Sequence, residues 1–365
     1  MLESKFKRHN IFRPLIFLLL FFLPAICIQA NTGSTEADGE KPIVLKDIIF
    51  SHVTDAYDWH LFSTSDHHYS IPLPIIVKSA DRGWFIFSSS KVSHGDTYQG
   101  FRLATDDPYK GKLVEISTAN ATEYHRPLDL SFTKTAAEIA LTSIALVLLL
   151  LSMAKSYKKD SLKSRRGFVG TIEMLIIYIY DDVIKPCVGP DYKKFAPYLL
   201  TAFFFIFFNN LLGLVPFFPG GANVTGNISV TFVLAFCTFS ITNLMGTKEY
   251  YKEIFWPDVP LWLKVPIPVM PFIEVLGAFT KAFALMIRLF ANMLAGHMIL
   301  LVLTSLIFVF YAIGGPLVAS GVSLVSILFS IFMLVIDVLV SFIQAYVFTM
   351  LSSIFIGMAR VHHSH

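Results

Sequence analysis

The chain has 365 residues, of which 55% are hydrophobic and 35 are phenylalanine. Its mean hydropathy of +0.62 excludes an ordinary soluble domain and indicates a protein that crosses a membrane several times. The formal net charge of +3 is less informative than the positions of the charges, and three cysteines (Cys27, Cys187, Cys237) predict neither a disulfide framework nor a metal site.

Residues 1–30 are predicted to be a signal peptide. Several basic residues precede the apolar run 14–28, and Ala30 fits the small residue expected before a cleavage site. An uncleaved anchor is the alternative. Both hypotheses place Asn31 outside the cytoplasm.

Residues 31–130 are predicted to form a small extracytoplasmic domain of mixed or β-rich structure. Its short apolar runs, separated by Asp, Gly, Pro and Ser, are typical of strands and turns. These runs are 48–50, 71–77 and 84–88. The domain also carries His52, His60, His67 and His68, whose spacing matches no zinc or iron signature. We interpret them as surface histidines, with metal binding as the alternative, and assign the domain no role.

Three apolar segments then predict membrane spans, at residues 136–154, 195–215 and 228–246. The loop after the first span is dense in Lys and Arg, which retains a short loop in the cytoplasm. Residues 170–185 are predicted to form an interfacial helix on the cytoplasmic surface. The loop 215–227 is therefore expected outside, and the charged loop 248–264 inside.

The last two apolar segments, 273–310 and 317–358, are too long for upright spans. As helices they would extend about 57 and 63 Å, against a hydrocarbon core of about 30 Å. Joined by Gly314, Gly315 and Pro316, they predict a long, steeply tilted antiparallel hairpin. The predicted fold is therefore an all-α polytopic membrane protein with about five membrane-embedded helices, an interfacial helix and the N-terminal domain.

Arg288 lies inside this apolar hairpin. Its guanidinium cannot lose its proton, and placing it in the centre of a membrane helix costs about 2.5–3.5 kcal/mol on insertion scales. Glu274 and Lys281 precede Arg288 at intervals of seven, and Asn292 follows four residues later, so all four share one helix face. A charged residue in this position indicates a water-filled path or a partner carboxylate.

The second helix of the hairpin carries a similar stripe. Ser323, Ser330, Asp337 and Gln344 are spaced by seven, and Ser341 follows Asp337 by four. Small polar residues could simply join two helices. That does not explain the ionisable side chains, which are Glu274, Lys281, Arg288, His297 and Asp337. Folding about the glycines places Asp337 level with about Asn292, and His297 points nearly opposite to Arg288.

The hairpin is similar to subunit a of the rotary ATP synthase, the membrane stator that passes ions to a ring of c subunits. The resemblance covers about residues 130–358 and leaves 31–130 outside. It rests on Glu274 to His297, with Arg288-Leu289-Phe290-Ala291-Asn292 at its centre, on Asn209 to Pro216, and on Gln344 to Phe348.

The resemblance implies a role for each matched residue. Arg288 would face the carboxylate of each passing c subunit, with Asn292 and Gln344 lining the same region. His297 and Asp337 would form the inlet pair, in the reverse order from many bacterial relatives. Glu274 would stand at the cytoplasmic exit, and Lys281 could balance its charge.

The resemblance further implies a non-catalytic, proton-translocating subunit of the bacterial inner membrane, with a periplasmic N-terminus and a cytoplasmic C-terminus. The implied partners are the c ring, the b-subunit peripheral stalk, indirectly the soluble catalytic ATPase sector, and membrane lipid, but no nucleic acid and no cofactor. The chain lacks a phosphate-binding loop sequence. A stand-alone channel or secondary transporter, an intramembrane enzyme, and sodium in place of protons are the alternatives.

Overall fold

The computed structural model describes residues 55–64, 67–79, 82–92, 96–104, 109, 111–116, 124–159, 167–215, 220–255 and 269–360. The predicted signal peptide 1–30, the apolar run 48–50 and His52 lie outside the described residues. So do the side chains of His60, His67 and His68.

The N-terminal domain contains short antiparallel strands. They form three small sheets, with the orders β1-β2, β4-β3-β8 and β5-β6-β7. Alternate residues of β3, Ile75 and Val77, are fully buried and pack with Phe87, Phe101 and Leu113 in a small core. The prediction that this region contains strands is confirmed. The strands are β1 Asp58–Thr64, β2 His67–Pro72, β3 Pro74–Ser79, β4 Gly83–Ser88, β5 Phe101–Leu103, β6 Leu113–Ile116, β7 Tyr124–His125 and β8 Leu128–Asp129.

The described chain after the N-terminal domain is mostly helical. A π-helical turn, Ile179–Ile184, joins α2 to α3. Helix α6 lies within the charged connection 248–264 between two apolar segments, and its eight residues place Tyr250, Tyr251 and Ile254 at helical spacing beside charged residues. The helices are α1 Lys134–Lys159, α2 Phe168–Tyr178, α3 Lys185–Val188, α4 Tyr192–Gly213, α5 Ile228–Leu244, α6 Lys248–Phe255 and α7 Val269–Ala359.

Four helical segments of the described chain are long and apolar enough to cross a membrane: Lys134–Lys158, Tyr192–Gly213, Phe272–Tyr311 and Ser320–Ala359. Helix α5 is a shorter apolar helix. This set fits the predicted polytopic membrane protein.

Helix α7 consists of two 40-residue arms, the first arm Phe272–Tyr311 and the second arm Ser320–Ala359. Between them Gly315 has φ 70° and ψ −174°, a backbone conformation that favours glycine. Ser326 Oγ donates to the Leu303 carbonyl across the hairpin, so the arms run antiparallel. The predicted pair of overlong helices that meet at the glycines is confirmed; the tilt stays a prediction.

Contacts divide the chain into two compact units. One contains the described residues of Met1–Ala137, Leu214–Ala222 and Met298–Val335, and the other those of Glu138–Gly213, Asn223–His297 and Ile336–His365. In the second unit, buried residues of α4 pack with residues of both hairpin arms. This core includes Leu199, Phe203, Ile206, Leu285, Leu289, Ala345 and Phe348.

The end of the second arm lies against α3. A Cβ atom on Gly357 would lie 2.0 Å from the backbone oxygen of Cys187, whereas one on Gly277 would meet nothing within 4 Å. We expect Gly357→Ala to lower the free energy of unfolding by about 1–3 kcal/mol, because backbone must move to admit the methyl group. Thermal unfolding of the purified protein checks this, with Gly277→Ala as the matched control. Equal stability of the two variants would contradict it.

Candidate functional site

The polar stripe of the first arm lies on an open face in the described chain. Glu274, Lys281, Arg288 and Asn292 are all exposed. Large apolar side chains beside them are exposed too, among them Phe272, Phe279, Phe283 and Ile287. Because this arm is apolar enough to lie in a membrane, its open face must meet lipid or another membrane component.

Arg288 has no hydrogen-bond or ion-pair partner among the described residues. A permanent cation on the surface of a membrane helix needs an opposite charge or water. A carboxylate on a different molecule would satisfy that need.

Lys281 and Glu274 contact different elements. The Lys281 ammonium lies 5.8 Å from the centre of the Phe355 ring, a favourable cation–π distance. Glu274 acts on Tyr250 of α6, whose pKa is raised by burial and then by the neighbouring Tyr251 and Glu274. The described residues contain no ion pair between Glu274 and Lys281, because seven residues separate them by about 10 Å along the helix.

The stripe of the second arm is turned into the protein. Ser330, Asp337, Ser341 and Gln344 are all buried. Ser341 Oγ donates to the Asp337 carbonyl at 2.7 Å, so its hydroxyl is satisfied within its own helix. The two stripes thus differ in environment: one is exposed and mostly charged, and the other is buried and mostly neutral.

The Asp337 carboxyl group lies against Gly296. A Cβ atom on Gly296 would lie 2.8 Å from Asp337 Oδ1. Asp337 Oδ2 is buried without a hydrogen-bond partner among the described residues. The Asp337 carboxyl group thus lies four residues from the expected level near Asn292, on the side of the hairpin turn. Helical side chains lean toward the N-terminus of their own helix, which accounts for about one residue of this difference.

This contact places Asp337 beside Gly296, the residue that precedes His297. The His297 side chain is half-buried, whereas Arg288 is exposed. Nine residues rotate a helix by about 900°, so the two side chains leave opposite sides of the first arm. A buried carboxyl group and an imidazole therefore lie close to one level of the hairpin.

Further buried polar residues lie in α1 and α4, in the same compact unit as Asp337 and His297. Sequence reasoning gave them no role in proton transfer. Glu138 is fully buried. Asn209 and Asn210 are also buried, and Asn210 Oδ1 accepts a 2.5 Å hydrogen bond from Thr225 Oγ1. The sequence alone could have identified Glu138, because an ionisable side chain in an apolar helix is costly and indicates a function, as it does for Arg288.

The C-terminal end of the second arm is held by polar contacts. Arg360 Nε donates to Asp191 Oδ2 at 2.8 Å, and its Nη1 donates to the Met245 carbonyl at 3.1 Å. Thr247 N donates to the Ala359 carbonyl at 2.9 Å. These contacts fix the end of the arm that carries Asp337 and Gln344.

Comparisons with known proteins match both the N-terminal domain and the helical part of the chain. The family model described as ATP synthase A chain matches residues 138–357, and Domain of unknown function (DUF8433) matches residues 48–130. The chain is 45% identical over 244 residues to "ATP synthase subunit a 2" of Chlorobaculum tepidum, covering 64% of each chain. It is 42% identical to "ATP synthase subunit a" of Chlorobium phaeobacteroides (strain DSM 266), covering 65% of this chain and 67% of the relative.

Proposed function

The chain belongs to the ATP synthase A chain family, and on that premise we propose that it is the proton-channel stator of a rotary ATP synthase. Two aqueous half-channels would carry protons to and from a carboxylate on each c subunit of a rotating ring. The observation that carries this proposal is Arg288, exposed on an apolar membrane arm without a partner among the described residues.

Arg288 supplies the partner charge for the c-ring carboxylate. An opposite charge at close range lowers a carboxylate pKa by about 1–3 units, which favours release of the arriving proton. The same fixed charge separates the two half-channels and discourages a direct proton leak. Asn292 is exposed one turn further along the arm and would present its amide to the same carboxylate.

His297 and Asp337 form the inlet in this proposal. A proton from outside would pass between imidazole and carboxyl, directly or through water, and then neutralise a c-ring carboxylate. Histidine titrates near pH 6.5, which suits a proton shuttle and favours protons over sodium. The buried Gln344 lies seven residues beyond Asp337 on the same stripe and would line the path toward Arg288.

Glu274 stands at the exit of the other half-channel. The proton released at Arg288 would leave along the exposed stripe toward Glu274. Lys281 lies between them, and its ammonium is held over Phe355, so we assign it a role in setting the positive potential of this path. Each charge that crosses delivers about 2.3 kcal/mol per 100 mV of membrane potential, which rotation would pass to the catalytic sector.

The proposed partners are the c ring, the b-subunit peripheral stalk and, through them, the soluble ATPase sector. The proposed location is the bacterial inner membrane, with the N-terminal domain in the periplasm and Arg360 in the cytoplasm. The proposed domain boundaries are 1–30 for the signal peptide, 31–130 for the periplasmic domain and 131–365 for the membrane domain.

Purification of the tagged chain from its own membranes tests the proposal. We expect the c ring and the ATPase sector to co-purify, and inverted vesicles to acidify on addition of ATP. Vesicles from cells that lack the chain are the control and should not acidify. A chain that transports ions alone, without a bound ring, would instead support the transporter hypothesis.

A further inference from the structure

Residues 128–132, which begin in β8 and lead into α1, have exposed apolar side chains and polar side chains that face the N-terminal domain. Leu128 and Leu130 are 56% and 58% exposed, and Phe132 is also exposed. The residues between them face inward: Asp129 accepts a hydrogen bond from the Tyr57 hydroxyl, and Ser131 Oγ accepts one from Ile76 N. A sheet facing water shows the opposite alternation.

The neighbouring strands extend this surface. Lys78 of β3 pairs with Trp84 of β4 on one side and with Leu128 on the other, and Ile76 pairs with Ile86 in the next row. Trp84 is 56% exposed and Ile86 74%. Together Trp84, Ile86, Leu128, Leu130 and Phe132 form one apolar sheet face.

The apolar sheet face lies close to the start of a membrane span. Phe132 precedes Lys134, the first residue of α1, by two residues, which extend at most about 7 Å; Leu128 is within about 21 Å. The first turn of α1 is bonded to the same domain: Lys134 N donates to the Ala56 carbonyl at 2.9 Å, and Thr135 N donates to Asp55 Oδ1 at 3.1 Å. The face cannot lie far from the bilayer surface.

We propose that the apolar sheet face docks onto the outer surface of the lipid bilayer, at the level of the headgroups and upper acyl chains. Tryptophan is enriched at this depth in membrane proteins. Lys78 lies in the same row, with its ammonium 5.7 Å from the centre of the Trp84 ring. From there it can pair with a lipid phosphate while its stem covers apolar surface. The docking would fix the domain against the membrane where α1 enters.

The docking rests on the membrane span α1 and the N-terminal domain, and only the side of the bilayer follows from the proposed periplasmic location. It does not depend on Arg288, Asp337 or the stator role. A failure of either proposal therefore leaves the other standing.

Spin-label accessibility in the intact complex tests the docking. Single cysteines at Ile86→Cys and Leu130→Cys, in a chain with Cys27, Cys187 and Cys237 replaced by serine, would carry a nitroxide label. The complex is reconstituted in bilayers of phosphatidylethanolamine and phosphatidylglycerol. Ser90→Cys is the matched control, because Ser90 is exposed in the same domain outside the apolar sheet face.

We expect labels at Ile86 and Leu130 to collide more often with oxygen, which concentrates in lipid, than with a water-soluble nickel chelate. The control label should show the reverse order. Labels open to the nickel chelate would overturn the proposal, because the face would then be in water. Labels shielded from both reagents would also overturn it, because protein would then cover the face.

Tryptophan fluorescence tests the docking without spin labels, so that the test does not depend on assembly of the cysteine variants. Brominated lipids quench tryptophan at bilayer depth, and the difference between the parent chain and Trp84→Phe isolates Trp84 from the other tryptophans. We expect the Trp84 fluorescence to be several-fold lower in bilayers of brominated lipid than in bilayers of unbrominated lipid. Absence of quenching at Trp84 would end the proposal.

Discussion

We expect Arg288→Ala to lower ATP-driven proton pumping by about 10- to 1,000-fold in a complex that still contains its c ring. Without the guanidinium, the pKa of the c-ring carboxylate facing this position should rise by about 1–3 units, which slows proton release by about 10- to 1,000-fold. Because Arg288 is exposed and unpaired among the described residues, its removal should leave the fold of the chain intact.

Acidification of inverted membrane vesicles measures this effect, and co-purification of the c ring verifies assembly. Passive proton leak through the same vesicles should rise, because the charge between the half-channels is gone. Thr304→Ala is the matched control on the same arm, since among the described residues its hydroxyl donates to the Leu300 carbonyl of its own helix. Pumping at the parent rate in Arg288→Ala would remove Arg288 from the mechanism.

The second large effect is expected for Asp337→Asn. The amide preserves the shape of the side chain against Gly296 but cannot exchange a proton. If Asp337 carries protons in the inlet, pumping should fall by about 100-fold or more, within the range for loss of a positioned acid–base group. His297→Ala should cause a loss of similar kind. Initial acidification rates of inverted vesicles loaded at a range of lumenal pH values give the readout, because the inlet opens to the lumen after inversion.

Gly296→Ala tests whether pumping depends on the position of the Asp337 carboxyl group as well as on its ability to exchange a proton. Its methyl group would lie 2.8 Å from Asp337 Oδ1, so the carboxyl group must move although it keeps its proton. We expect a smaller loss of pumping than in Asp337→Asn, with normal assembly. Gly277→Ala, which adds the same methyl group to open space, should pump normally. Unchanged pumping in both Asp337→Asn and Gly296→Ala would exclude Asp337 from the inlet.

Local spacing and composition of the sequence were enough to predict several elements of this protein and the faces of its last two helices. The length of the apolar segments predicted the two arms of α7, and the glycines predicted where they meet. Intervals of seven placed Glu274, Lys281 and Arg288 on one face, because helix geometry depends only on the backbone. The strands at β3 and β4 followed from short β-branched and aromatic runs.

Only the tertiary structure decided which of these faces is buried and against what. The second-arm stripe is buried and the first-arm stripe is exposed, although both repeat polar residues at intervals of seven. The contact of Asp337 with Gly296 and that of Lys281 with Phe355 join residues far apart in the chain. Periodicity defines directions around a single helix, whereas burial and pairing depend on how far two helices are shifted along each other. That shift is set by side-chain packing across the whole unit.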